Sequence, residues 1–314
     1  MSHSVDETVE PHTYLPDHRR RGLFEALIVA MRPKQWAKNL LLFAALLFTI
    51  DKHHQAVDII RACAAFAVFC LLSSSGYLLN DAMDVQIDRM HPRKRSRPIA
   101  AGDISPRTAL IVAFVIAVGA LTGGFAVGLK FGLCALTYLL LTVSYSLRLK
   151  HVVILDLLVL ASGFVLRAVG GAWAIPVPIS PWLVLCTLLL ALFLAISKRR
   201  GELVAVSRGR KQGRPILSEY SAAMLDQMST IVTSALLMSY ALYTIQSDAA
   251  HSHNFLLASI PFVIYGIFRY LYLIHRHDMG ETPDEILMKD RPLLVCVVLW
   301  ALVTGLIIAH PWAP

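Results

Sequence analysis

Nine stretches of this chain are apolar for long enough to cross a lipid bilayer, and that repetition limits the fold more than any other feature. They fall at about residues 23–50, 57–79, 107–128, 131–147, 152–174, 181–197, 227–246, 254–274 and 292–310. A span needs roughly 20 mostly apolar residues. Inside hydrocarbon every backbone N–H and C=O must find a partner within the protein, so only helices and closed barrels cross it. The stretches are continuously apolar rather than alternating, which predicts helices. Composition agrees. The 314 residues are 56% hydrophobic and only 16% charged, with a mean hydropathy of +0.61, against about a quarter charged in ordinary soluble chains. The expected fold class is an all-α membrane protein, a bundle of nine transmembrane helices.

Residues 1–22 are polar, with histidines, acids and "RRR" at 19 to 21. They lack the apolar core and small-residue site of a cleavable signal, and read as a disordered cytoplasmic tail. Residues 23–314 read as one catalytic domain without internal repeats of 20 to 50 residues. With nine spans, one side of the membrane receives every Lys and Arg except Lys52, Arg61, Lys130 and Arg167, which lies inside a span. The positive-inside rule makes that side cytoplasmic. The protein is therefore expected to be multi-pass in the inner (plasma) membrane, with its N-terminus in the cytoplasm. Part of the net charge of +8 serves to attract anionic lipid headgroups, and no nucleic-acid partner is expected.

Several chemistries are disfavoured. The five cysteines lie within predicted spans, without CxxC spacing, and read as inert buried thiols. The twelve histidines form no HExxH pattern, and there is no Walker A or GxGxxG loop.

The segment "NDAMDVQIDRMHPRKRSRPIAAG", residues 80 to 102, breaks the apolar pattern. On a helix leaving the second span, Asn80, Asp81, Asp84 and Asp88 fall within roughly a 100° arc. Clustered carboxylates resist ionising together, and they sit poorly at a helix C-terminus, where the dipole favours cations. A hard divalent cation removes both penalties. Mg²⁺ takes a few carboxylates and completes its shell with water and phosphate oxygens. A solvated helix end is the plainer reading, but it needs no common acidic face. Arg93, Lys94, Arg95 and Arg97 follow, and Arg binds phosphate oxygens in a bidentate fork. Acid and base together suggest one ligand, a magnesium-bound diphosphate.

"NDxxDxxxD" followed by "RP" and small residues resembles the first motif of the UbiA-type intramembrane prenyltransferases. "MRPKQWAKN" (31 to 39), "YSLRLKHVVILD" (145 to 156) and "SGFVLRAVGG" (162 to 171) extend the likeness over most of the chain from about residue 30. The resemblance implies nine helices around a central cavity open to the cytoplasmic side, with two aspartate-rich motifs holding a magnesium-diphosphate. One departure stands out. The second motif is usually a DxxxD pair in the loop after the sixth span. Here that loop reads "AISKRRGELVAVSRGRKQGRPILSEY", with Glu202 and Glu219 as its only acids. Exchange of carboxylates for cations is similar to the decaprenyl-phosphate phosphoribosyltransferase branch, as are "RPKQWAKN", "SGFVLRAVGGA", "KRRGEL" and "GETPDEILMKDR".

That branch implies phosphoribosyl diphosphate (PRPP) as donor and a polyprenyl phosphate as acceptor. Asp81, Asp84 and Asp88, with Asn80, would hold the metal and neutralise the leaving diphosphate. Lys34, Lys38, Lys198 and Arg199 are candidates for the 5-phosphate or lipid phosphate. Asn39, Arg95, Arg97, Lys150 and Glu202 join the expected substrate-binding set. Asp156 is expected to bind a ribose hydroxyl or to orient Lys150. Arg167, eleven residues further along the same span, is a functional candidate because ionisable groups inside spans usually are; a structural ion pair is the other reading. Trp36 and Tyr145 read as interfacial anchors. Asp284, Glu285, Lys289 and Asp290 lie in a loop that either caps the site or is plain loop. Two other functions remain: prenyl transfer from a prenyl diphosphate to an aromatic acceptor, and transport of an anionic solute, which would place charges in broken helices at mid-membrane. Lipid chain length and homo-oligomer formation are left open.

Overall fold

The computed structural model describes residues 21–49, 54–90, 94–209, 215–247, 255–277, 286 and 289–309. The proposed N-terminal tail up to residue 20, Arg93, Asp284 and Glu285 lie outside these residues.

Among the described residues the chain is helical throughout, and eight helices are long and apolar enough to cross a membrane. Short α1 (Leu23–Met31), a 3₁₀ segment (Pro33–Phe43) and α2 (Ala44–Phe48) come first. Then follow α3 (Ala56–Met83), α4 (Val85–Met90), α5 (Pro98–Ala101), α6 (Pro106–Val127), α7 (Leu129–Leu147) and α8 (Leu155–Ala174). The chain ends with α9 (Pro181–Ser207), α10 (Ala222–Gln246), α11 (Ile260–His277) and α12 (Arg291–Ala309).

The structure departs from the expected elements in two places, and both matter for the site. The first apolar stretch, expected as one helix over 23–50, is broken. Proline disfavours the α-conformation in the residue before it and donates no N–H. Arg32, just before Pro33, accordingly takes a left-handed backbone (φ 55°, ψ 61°) and ends α1. The chain then continues as a 3₁₀ helix to Phe43. The sixth span differs in the other direction. Its apolar run stops near residue 197, but α9 continues to Ser207. "KRRGEL" is helical, because Lys, Arg, Glu and Leu favour helix and the end of a hydrophobic run marks the membrane boundary rather than the helix terminus.

Packing follows from side-chain size. The buried face of α6 is Ala109, Ala113, Ala117, Ala120 and Gly124, a stripe of small residues that lets backbones approach closely where lipid offers no hydrophobic drive. Phe69 and Leu72 of α3, Phe131 and Tyr138 of α7, and Leu42 of the 3₁₀ segment fill the core beside it. Gly171 of α8 lies against the backbone of Leu42, where any Cβ would overlap the Leu42 carbonyl. That contact docks the broken first element into the bundle.

Candidate active site

The charged groups gather at one end of the bundle, where α3 runs into α4, α7 turns into α8, and α9 leaves the apolar region. Helix α3 ends at Met83, Asp84 forms a one-residue turn, and α4 carries the chain on to Met90. The break is mild enough to keep Asp81 and Asp88 on a common side. A single atom links them: Arg97 Nη1 donates to Asp81 Oδ1 at 3.0 Å and to Asp88 Oδ2 at 2.6 Å. Arg32 Nη2 donates to both Asp81 oxygens, at 2.6 and 2.7 Å, and its guanidinium lies 4.8 Å from the ring centre of Tyr77. Lys94 Nζ stands 3.6 Å from Asp88 Oδ1. Asp84 is bound from a different element, by Lys150 Nζ at 2.8 Å. Lys150 thus pairs with Asp84, and not with Asp156, which the sequence offered as one of two expectations for that acid.

A second cluster stands beside the first. Asp156, in the first turn of α8, is fully buried. Arg199 Nη2 donates to its Oδ2 at 2.6 Å and Tyr220 Oη to its Oδ1 at 2.6 Å. Arg199 Nη1 also donates to Glu202 at 2.7 Å, one helical turn on. The acids missing from the expected second motif are therefore partly supplied in space, by Asp156 and Glu202 around one arginine. Burial and the Asp156 carboxylate push the Tyr220 phenol up to about 12, so it remains a donor at physiological pH.

Deeper in the bundle, Arg167 is buried among neutral acceptors. Its Nε donates to Asn39 Oδ1 at 2.6 Å, Nη1 to the Gly163 carbonyl at 2.7 Å and Nη2 to Tyr138 Oη at 2.8 Å. Tyr138 also lies under the guanidinium, 4.8 Å from ring centre to Cζ. Asn39 belongs to the 3₁₀ segment, so Arg167 fastens the broken element to α7 and α8. Among the described residues Arg167 makes these neutral contacts and no ion pair, the other reading considered from sequence.

The remaining expected site residues divide by exposure. Lys34 and Arg95 are exposed; Asn80, Lys38 and Lys198 are half-buried near the same end. Trp36, expected as an interfacial anchor, turns inward and donates from Nε1 to Ser74 Oγ at 3.1 Å. Asp290 binds Arg269 at 2.8 Å and accepts from the Leu293 N–H, tying α11 to α12. Arg32 and Tyr220 were missed as site residues in the sequence. Arg32 lies within "MRPKQWAKN", and the proline after it was the available signal. Tyr220 carries no local signal.

Among the described residues no three acidic, histidine or cysteine groups form a ready-made metal cage. The donor set nevertheless fits a hard divalent cation. Asp88 Oδ1 is buried without a hydrogen-bond partner, and Asp84, one turn away, is half-buried. All the oxygens come from carboxylates and an amide, the ligands such a cation takes. Arg32, Arg97 and Lys150 balance the carboxylates. Beyond the charged end, a cavity of about 1060 Å³ opens between α2, α9, α10, α11 and α12, lined by Phe48, Leu190, Tyr243, Phe262 and Trp300 among others. It extends from Thr49, Pro178 and Gln246 to Phe193, little more than a turn from Lys198.

Residues 40–289 match the model of the UbiA prenyltransferase family. The chain is 35% identical over 292 residues to the decaprenyl-phosphate phosphoribosyltransferase of Mycolicibacterium smegmatis, covering 89% of this chain and 91% of that protein. It is also 35% identical over 309 residues to the enzyme of the same name from Corynebacterium glutamicum, covering 93% and 91%. The fold is similar to that of a UbiA homolog from Archaeoglobus fulgidus bound to GPP and Mg²⁺, with a TM-score of 0.69 at 17% identity, covering 90% of this chain and 99% of that one. Because the family model matches 40–289, most of the 314 residues, this chain belongs to the UbiA prenyltransferase family.

Proposed function

We infer that this protein transfers 5-phosphoribosyl from PRPP to decaprenyl phosphate or a similar polyprenyl phosphate, giving polyprenyl-phosphoryl-5-phosphoribose and diphosphate. The observation that carries this is 35% identity along nine-tenths of the chain to two decaprenyl-phosphate phosphoribosyltransferases. The run of cations Lys198, Arg199 and Arg200 in the sequence after the sixth apolar stretch agrees with it, since PRPP and the lipid together bring three anionic groups.

In the reaction the bond from ribose C1 to the diphosphate breaks, with the electron pair leaving on the diphosphate. A lipid phosphate oxygen, already ionised at neutral pH, forms the new bond to C1. A strong general base is not required. Asn80, Asp81, Asp84 and Asp88 would hold Mg²⁺, which would supply electrostatic neutralisation of the leaving diphosphate. Arg32, Arg97 and Lys150, which stand against these carboxylates, would meet the diphosphate oxygens. Lys34, Lys38, Arg95 and Lys198 receive the 5-phosphate or the lipid phosphate. Asp156 and Glu202 together hold the Arg199 guanidinium in place. The acceptor's polyprenyl chain enters sideways from the bilayer into the apolar cavity.

The broken first element completes nine crossings around this cavity, and residues 23–314 act as one domain. The positive-inside asymmetry supports a charged end, and with it PRPP binding, on the cytoplasmic side of the plasma membrane. Purified protein incubated with labelled PRPP and a panel of polyprenyl phosphates should yield a phosphoribosylated lipid by mass spectrometry. A prenylated aromatic product from labelled prenyl diphosphate, with PRPP untouched, would overturn the assignment. Vesicle uptake of an unaltered anion would mean transport.

A further inference from the structure

Ile154, at the entry to α8, has a backbone that an isoleucine rarely adopts. Its φ is +70° and its ψ −45°, and the Leu155 N–H closes a three-residue turn onto the Val153 carbonyl at 2.8 Å. A β-branched residue at positive φ is a strained position, and such turns are rare. Strain of this kind persists only where the surroundings over-determine it. Here one side chain does so. The Ile154 N–H donates to Tyr220 Oη at 2.7 Å, and the same hydroxyl donates to Asp156 Oδ1 at 2.6 Å. Tyr220 comes from the far end of the connection between α9 and α10, 66 residues from Ile154. Its ring is buried against Leu157, Ile196, Ile216 and Leu225, so the hydroxyl cannot swing away.

The segment so held carries chemistry at both ends. Lys150, four residues before the strained turn, reaches Asp84 of the first acidic motif at 2.8 Å. Asp156, two residues after it, anchors Arg199 at 2.6 Å. If Ile154 relaxed to negative φ, the direction of the chain between Lys150 and Asp156 would change, and the two clusters would lose their relative placement. We propose that Tyr220 is a positioning residue, whose hydroxyl clamps the strained turn at Ile154 and thereby sets Lys150 against Asp84 and Asp156 against Arg199. The inference rests on the phosphoribosyl-transfer reading for its kinetic consequence, and on geometry alone for its structural one.

Tyr220→Phe tests it in the full-length protein. Without the hydroxyl, amide hydrogen exchange in peptides covering residues 149–156 should quicken. The apparent KM for PRPP should rise roughly tenfold, as expected for loss of a hydrogen bond to a charged group, while KM for the polyprenyl phosphate stays at the wild-type value. A merely structural role would lower the amount of folded protein, and so the apparent kcat, without moving KM for PRPP. Adding Ile154→Gly to Tyr220→Phe should restore much of the PRPP affinity, because glycine occupies positive φ without strain. Unchanged exchange in Tyr220→Phe, quickened exchange with unchanged PRPP KM, or a double variant no better than the single would each overturn the clamp. If Tyr220→Phe does not fold, recovery of folded protein in the double variant is the expected result, and failure of both variants overturns it. If the wild-type protein turns over a prenyl diphosphate and not PRPP, the phosphoribosyl reading falls while the exchange measurement still decides the clamp.

Discussion

Arg97 shows how much one side chain organises here: through a single nitrogen it holds Asp81 and Asp88, two buried acids two helical turns apart. Two carboxylates so placed repel each other unless cations stand between them. Arg32, Lys94 and Arg97 stand there. Asp81→Asn or Asp84→Asn should abolish product formation. Asp84→Asn should remain folded, with a thermal midpoint lowered by only about 2–4 °C, since the partly exposed Lys150–Asp84 pair contributes about 1 kcal/mol or less. Asp81→Asn, which weakens the pairs of a buried acid, should lower the midpoint further. Full activity in either variant, followed by lipid mass spectrometry, would remove these aspartates from the metal site. At this scale the acids were legible before the structure, because they recur at helical spacing within nine residues. Their partners were not. Arg32 lies 49 positions from Asp81, and Lys150 66 positions from Asp84; no local pattern connects them.

The element that most shapes the site is the broken one. A straight helix through residues 23–50 would leave Arg32 and Asn39 on a regular spiral. The proline-induced turn followed by 3₁₀ winding instead brings Arg32 to Asp81 and Asn39 to Arg167. The turn could be read from "RP"; its consequence depends on where α8 stands. Gly171 is the point where the two elements touch. Gly171→Ala would drive a methyl group into the Leu42 carbonyl, and the backbone cannot yield as a flexible side chain would. Overpacking of this kind costs about 1–3 kcal/mol. A lower thermal midpoint in detergent is expected, with weaker PRPP turnover as Asn39 is pulled from Arg167. A midpoint equal to wild type would show that the 3₁₀ segment can shift freely. The extension of α9 teaches a complementary lesson: hydropathy located the membrane boundary near residue 197, while helix propensity carried the helix ten residues further.

For the whole molecule, charge asymmetry and an apolar cavity divide the labour between the two ends. The charged pairs of Asp81, Asp84, Asp88, Asp156 and Glu202 stand at one end, and the apolar cavity reaches toward the other. In a background with the five cysteines replaced by serine or alanine, Ser218→Cys should react with an impermeant thiol reagent only from the cytoplasmic side of oriented vesicles. Labelling only from outside would invert the topology. The sequence by itself determined the helical membrane class, the positions of most spans to within a few residues and the acidic first motif. These depend on hydropathy, helical periodicity and charge, which act between near neighbours in the chain. Tertiary structure decided which cation meets which carboxylate, that Asp156 and Glu202 gather around Arg199, that Arg167 fastens Asn39, and that Tyr220 reaches a strained turn. Those contacts join residues on different helices, and their geometry is set by how closely small residues such as Gly171 and the α6 alanines let the helices approach.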